Sequence, residues 1–234
     1  MAPLTEPRLS TSSIGPALLM VLPVVAIGAL SLHALEADTV LLRARRGDAA
    51  LQTLRSVGET ARGAVTQAVE DAARRTAAAA GRPEAVRSLV LGGTIALAAM
   101  YEDGRRTFPP EDPEALLVTE RNALTTAAGA LATARAALDG APQGWAWVAE
   151  PDGGGVLNCR RAAGTGELCV LLDAASLRTA LAGALAAARR SADGWALTLS
   201  DPAGRTVWSQ GRSAAPPLSV LALDGALRGW RAEA

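Results

Sequence analysis

The sequence predicts an α+β protein: an N-terminal transmembrane helix continuing into a long helix, then two antiparallel-sheet modules with packed helices. Three observations predict it. An uncharged apolar run occupies Ile14 to Leu35. A helical pattern without a break follows it from residue 36 to about 80. One hairpin is also written twice, as ALAAMYEDGRRTF from Ala96 and ALTLSDPAGRTVW from Ala196. Each copy closes on a large aromatic, Phe108 or Trp208, and the turn glycines Gly104 and Gly204 stand 100 residues apart.

The first element is IGPALLMVLPVVAIGALSLHAL. Its length suits a span of about 20 residues across a hydrocarbon core of about 30 Å. A cleaved signal peptide needs a shorter apolar core and a small-residue exit, and Leu32-His33-Ala34-Leu35 is a poor one. A retained anchor is therefore favoured, and Pro16 and Pro23 are tolerated in such a helix. Arg8 stands on one side, and Arg43, Arg45 and Arg46 on the other. Counting arginines alone places the C-terminal part in the cytoplasm.

In the long helix, apolar positions step by three and four through Leu54, Val57, Ala61, Ala64 and Ala68. Glu70 with Arg74 and Asp71 with Arg75 are acid-first pairs four apart, the favourable order. Gly47, Gly58 and Gly63 each weaken the helix locally by about 1 kcal/mol. At about 1.5 Å per residue, a helix over 36–80 extends about 68 Å. So long a stripe of small residues needs a sheet or a partner helix, and dimer contact along it is expected.

Gly81-Arg82-Pro83 ends this helix and PEAVRSLVL supplies a short one. Thr94–Tyr101 and Arg105–Phe108 are the arms of the first hairpin, with Asp103-Gly104 in its turn. Residues 112–138 are expected as one helix, with Asp112 as N-cap and Pro113 at its first position. Strands follow at Trp145–Glu150, Gly155–Arg161 and Glu167–Leu172. Asp152-Gly153-Gly154-Gly155 lacks the Lys and following helix of a phosphate loop and reads as a turn. Asp173 caps a helix over 175–192, and the second hairpin pairs Trp195–Ser200 with Arg205–Ser209. Leu218–Leu223 reads as a strand, and Leu227–Arg231 as the start of one more.

The cysteines lie in VLNCRRAAGTGELCVLL. Folding this stretch about Gly164 sets Cys159 opposite Cys169, Arg160 opposite Leu168 and Arg161 opposite Glu167. Directly opposed residues of an antiparallel pair have Cα atoms about 4.5–5.5 Å apart, within disulfide range. Disulfides persist in oxidising compartments, so the cysteines outweigh the arginine count and place the domain outside the cytoplasm. Two reduced, buried cysteines are the alternative. A zinc site is disfavoured, because the single histidine, His33, lies in the apolar span.

Composition narrows the function. Half of the 234 residues are apolar and a fifth are charged, with 23 basic against 23 acidic. That balance argues against disorder and leaves no electrostatic footprint for nucleic acid. With no histidine outside the span, no Ser-His-Asp arrangement is available, and no catalytic residue, metal or cofactor is assigned. Trp145 and Trp147, two apart on one strand, share a face. Together with Tyr101, Arg121 and Arg160 they are the candidate ligand-binding residues, with Tyr101 and Arg121 placed to reach the same pocket. The alternative is that the tryptophans fill a small core and Arg160-Arg161 is a solvated turn edge. Trp195, Trp208 and Trp230 read as core.

The order of long helix, hairpin, helix and three strands resembles a PAS-like fold. The anchor at 14–35, MYEDGRRTFPP, TERNALTTAAGALATARAAL, WALTLSDPAGRTVWSQG and the closing LRGWR together resemble the extracytoplasmic double-Cache (tandem PAS-like) sensor region of bacterial sensor histidine kinases. The resemblance implies a cytoplasmic N-terminus over 1–13, the span over 14–35, a membrane-distal module over 36–172 and a smaller membrane-proximal module over 173–234. It also implies a single-pass inner-membrane protein of two-component signalling with its main domain in the periplasm. Such a protein binds a small molecule, between the sheet and the covering helix of the distal module, and signals as a homodimer through its long helix. Two features depart from the pattern. No second apolar span follows, and the phosphoacceptor histidine and ATP-binding segment of a kinase are absent, so this polypeptide is not expected to be an enzyme. The amino-acid-binding signature of some such sensors is not recognisable, and no ligand is carried over. The sensor region of a chemotaxis receptor or a diguanylate cyclase is an alternative. A pilin-like structural subunit is another, although the usual Gly-Phe-Thr-Leu-Ile-Glu start is missing.

Overall fold

The computed structural model describes the backbone of residues 14–149, 155–162, 166–188, 194–211 and 216–234. The expected cytoplasmic N-terminus, the Asp152–Gly154 part of the expected turn and the bend at Gly164 lie outside them. The chain divides into two compact units, 1–49 and 50–234.

The first unit is the beginning of α1 (Ile14–Ala78). Between Val25 and Leu42 its leucines, valines and isoleucine are exposed. This stretch, exposed throughout and with mean hydropathy 1.5, is long and apolar enough to cross a membrane.

The second unit holds two antiparallel sheets. The first has the order β2-β1-β5-β4-β3, from β1 (Leu97–Glu102), β2 (Arg105–Phe108), β3 (Trp145–Ala149), β4 (Val156–Arg161) and β5 (Glu167–Leu172). The second has the order β7-β6-β9-β8, from β6 (Leu197–Ser200), β7 (Thr206–Gln210), β8 (Val220–Ala222) and β9 (Arg231–Glu233). Helices α2 (Pro83–Leu91), α3 (Val118–Asp139) and α4 (Ala174–Ala188) complete the unit.

The repeated hairpins are both antiparallel ribbons, β1–β2 and β6–β7. In the first, Asp103 (φ 49°) and Gly104 (φ 79°) make the two-residue turn with both residues left-handed, which suits the twist of the arms. In the second, the buried Asp201 carboxylate accepts the Arg205 backbone N–H at 2.8 Å and its Nε at 2.7 Å, bracing a longer turn. The likeness reaches the bulges. Pairing steps from Met100↔Phe108 to Tyr101↔Arg106, leaving Thr107 extra, and from Leu199↔Trp208 to Ser200↔Thr206, leaving Val207 extra.

The cysteine hairpin has the expected register: Cys159↔Cys169, Arg160↔Leu168 and Arg161↔Glu167. The two cysteines form a disulfide, with Cα atoms 4.0 Å apart. At the start of α4, Asp173 caps as expected, accepting the Ser176 N–H at 2.8 Å.

Three local expectations are corrected. Residues 112–138 are not one helix. Asp112 caps only a single 3₁₀ turn, Pro113–Ala115, by accepting the Glu114 N–H. Leu116 and Leu117 are then extended, and α3 starts at Val118, where the Glu120 carboxylate takes the Leu117 N–H at 2.9 Å. Leu227–Arg231 does not begin a strand: a 3₁₀ turn at Gly225–Leu227 and left-handed Gly229 (φ 87°) delay β9 to Arg231. On α1, Asp71 pairs with Arg74 at 2.8 Å, one residue short of the expected Arg75.

The buried stripe of α1 runs through Leu54, Val57, Ala61, Val65 and Val69, each at most 3 % exposed. It departs from the expected stripe at Val65 and Val69, because branched side chains bury more apolar surface than Ala64 and Ala68, which flank them half-buried. One continuous core joins this stripe, Leu177, Leu181 and Leu185 of α4, and one face of both sheets. A second core lies between α3 and the other face of the first sheet, and holds the disulfide.

Mid-α3, Gly129 is exposed and a Cβ there would meet nothing within 4 Å. Gly129→Ala is expected to stabilise the protein by up to about 1 kcal/mol. Thermal unfolding checks it: a midpoint about 2–4 °C higher is expected.

Candidate functional site

The candidate residues fall on both faces of the first sheet, because side chains alternate along each strand. On the face toward α1, Trp145 pairs with Arg160 and Trp147 with Asn158 across β3–β4. The two indoles meet edge to face, 5.9 Å between centroids at 78°. Beside them Asn158 is fully buried; its Nδ2 donates to the Ala146 carbonyl at 3.0 Å, and its Oδ1 accepts from Arg160 Nε and Nη2. Trp147 packs against the common core, while Trp145 is 41 % exposed at the sheet edge. This face therefore gathers Trp145, Trp147 and Arg160, with Arg160 Nε and Nη2 already engaged by Asn158.

Tyr101 is on the opposite face, under α3. The Arg135 guanidinium of α3 lies 3.8 Å over its ring, and Arg135 Nε donates to Glu167 Oε2 at 2.6 Å. Glu167 stands directly across the ladder from Tyr101, so a phenol, a carboxylate and a guanidinium form one cluster. Burial pushes the Tyr101 phenol up, against the opposing pull of Arg135 and Arg106. Arg121 is exposed on α3 and donates to the Pro113 carbonyl at 2.7 Å. The structure thus does not bring Tyr101 and Arg121 to the tryptophan pair, since β-strand alternation separates them by the thickness of the sheet.

Arg135 and Glu167 went unread as a site. Nothing in the sequence marks Arg135 among the arginines of 112–138, and Glu167 meets Tyr101 only once β5 is known to pair with β1. As the sole tyrosine, Tyr101 can be followed alone by phenolate absorbance. Its midpoint is expected above the ordinary value of about 10. Because the folded state then holds the proton more tightly than the unfolded chain, this contribution to stability is constant below pH about 10 and falls as pH rises beyond it.

A second charged cluster fixes the mouth of α3. Glu120, 4 % exposed, receives Arg87 Nε of α2 at 2.9 Å, and Arg87 also donates to the Ala115 carbonyl and pairs with Glu84. The hydrogen bond that Arg87 donates to Glu120, ahead of the opposing effect of burial, raises the Arg87 guanidinium and keeps it charged. Glu120→Gln removes the negative partner but not the shape, and is expected to cost about 2 kcal/mol. Denaturant unfolding of both forms checks this through the transition midpoint.

Where β1, β2 and β5 meet the end of α1 and the start of α2, a cavity of about 600 Å³ opens, with residues of both sheet faces in its lining. Ala77, Val86, Met100, Phe108 and Leu168 supply its apolar wall, and Glu102, Thr107, Glu167 and the sequence candidate Tyr101 stand among its polar groups. Among the described residues, no group of three or more His, Cys, Asp or Glu side chains is arranged to hold a metal ion. No protein-family model, curated protein or solved structure matches this chain.

Proposed function

We propose that the chain is the membrane-anchored sensing region of a bacterial two-component receptor of the double-Cache type, with its sheets in the periplasm. The observation that carries this reading is the place of the cavity. Its wall includes Ala77 in the last turn of α1, the same helix that begins with the membrane-competent apolar stretch. A small molecule seated there touches the element that would carry a signal to the bilayer.

Further support comes from the order of helix, ribbon, helix and three strands, from the second ribbon-bearing sheet, and from the disulfide. In this reading the ligand binds one arrangement of α1 on the sheets better than another. It shifts the population by no more than that difference in affinity. The shift reaches the membrane as a small translation or rotation of the helix, passed to a kinase through a homodimer of long helices. The buried stripe Leu54–Val69 is occupied by the chain's own core, so a dimer would use another face of α1.

The test uses the full chain in lipid nanodiscs, screened against small metabolites by thermal shift with hydrogen exchange on α1. A compound that raises the midpoint saturably and slows exchange in the last turns of α1 supports sensing. A library with no such compound overturns it.

A further inference from the structure

We propose that the cavity beside the end of α1 is a binding site for a small organic amine, an apolar body bearing an ammonium group. The inference rests on the sensing reading above and gives that site a ligand class. At about 600 Å³ the cavity is of ligand size, and its wall of Val86, Met100, Phe108 and Leu168 is hydrocarbon or aromatic. Met100, unbranched and half-buried, can reshape that wall around an apolar body.

The polar groups decide the class. None of the lining residues is an arginine, and the charged ones are two carboxylates, Glu102 and Glu167. Glu167 is engaged by Arg135, and the Thr107 hydroxyl donates to the Met100 carbonyl at 3.3 Å. Glu102 is exposed at the turn end of β1 and has no ion-pair partner among the described residues. Arg105 stands across the ladder from it without an ion pair between them. Of the residues that line the cavity, Glu102 is therefore the one whose charge has no ion-pair partner, while Arg105 and Arg106 stand beside the lining and not on it. A carboxylate or phosphate ligand would meet like charge at Glu102, whereas an ammonium gains Glu102 at the rim while its apolar body fills the interior.

The experiment compares phenethylamine, protonated at pH 7, with 3-phenylpropanoate, a carboxylate of similar body, on the full chain in lipid nanodiscs by ligand-observed NMR titration. The amine is expected to bind about tenfold more tightly than the carboxylate. Glu102→Gln, at an exposed position, should weaken the amine about fivefold and leave the carboxylate no weaker. Ala77→Phe, exposed at the end of α1, should fill the cavity and abolish binding with the thermal midpoint retained. Equal or tighter binding of the carboxylate, indifference to Glu102→Gln, or undiminished binding to Ala77→Phe each overturns the proposal. Should neither probe bind while a library metabolite does, the amine class falls and the sensing reading stands; silence toward every compound removes both.

Discussion

Cys159→Ala/Cys169→Ala is expected to lower the thermal midpoint by about 6–12 °C. The bond joins residues ten apart in sequence, and closing so short a loop contributes about 3 kcal/mol in the chain-entropy model. For a protein of this size each kilocalorie moves the midpoint by about 2–4 °C. Both sulfurs are fully buried beneath α3, in the core with Leu131, Ala134 and Leu138. Alanine keeps that environment apolar, so the loss measures the cross-link and a small cavity. Serine at the same positions should cost more, because it buries hydroxyls without an assured partner. Full-length protein with and without reductant should reproduce the difference, and a midpoint unchanged by both treatments contradicts it. The same bond tests location. In intact cells, thiol reagents applied without reductant should leave both cysteines unlabelled, and a periplasm-dependent reporter after Ala234 should be active. Labelling without reductant would return the topology to the side the arginine count favours.

How the chain announces its fold differs from element to element. The disulfide register was legible because a hairpin with two cysteines and complementary neighbours admits few alignments, and Arg161 opposite Glu167 follows once Cys159 meets Cys169. The repeated ribbons were legible because Asp-Gly and Asp-Pro-Ala-Gly are turn chemistry between apolar arms. The bulges at Thr107 and Val207 were not, since a bulge depends on which partner residue is skipped, and no residue type marks that. The break between Pro113–Ala115 and α3 was hidden for another reason. Local propensity favours one helix, but the distant Arg87 holds both the Ala115 carbonyl and Glu120 and selects a turn followed by a new start.

The candidate site divides along the same line. Sequence spacing correctly put Trp145 and Trp147 on one face, because alternation within one strand is local. It could not place Tyr101 relative to them, because β1 and β3 lie apart in the sheet order, joined only through β5 and β4. Of the cavity, only Tyr101 was legible, for a stronger version of that reason. Its wall comes from the end of α1, from α2, and from three strands, and beside Tyr101 and Phe108 much of it is ordinary alanine, valine, methionine and leucine. Such a site is defined by what does not fill it, and composition carries no record of that.

Trp230→Ala is expected to cost about 3–5 kcal/mol and to lower the midpoint by about 6–20 °C. Trp230 is fully buried and the largest such side chain among the described residues. It lies just before β9, between the Leu227 carbonyl that accepts its N–H at 3.0 Å and the Leu223 N–H that donates to its own carbonyl at 2.9 Å. The ring belongs to the core shared by α1, α4 and both sheets, and that position makes the substitution informative. If the second sheet folded on its own, the loss would melt β6–β9 and leave the disulfide-bearing sheet untouched. A shared core instead predicts one cooperative transition, with hydrogen-exchange protection falling together in β6 and in β1 and β5. Gly58 supports the shared case: a Cβ on this α1 residue would stand 2.7 Å from Leu223 Cδ2, so helix and second sheet approach as closely as a missing side chain allows. Trp230→Phe supplies the control. The indole Nε1 has no hydrogen-bond partner among the described residues, so phenylalanine removes a buried, unsatisfied donor along with part of the volume. It should therefore cost much less than alanine. A phenylalanine variant as unstable as the alanine one would mean that the indole nitrogen, and not ring volume, holds the second sheet to the first.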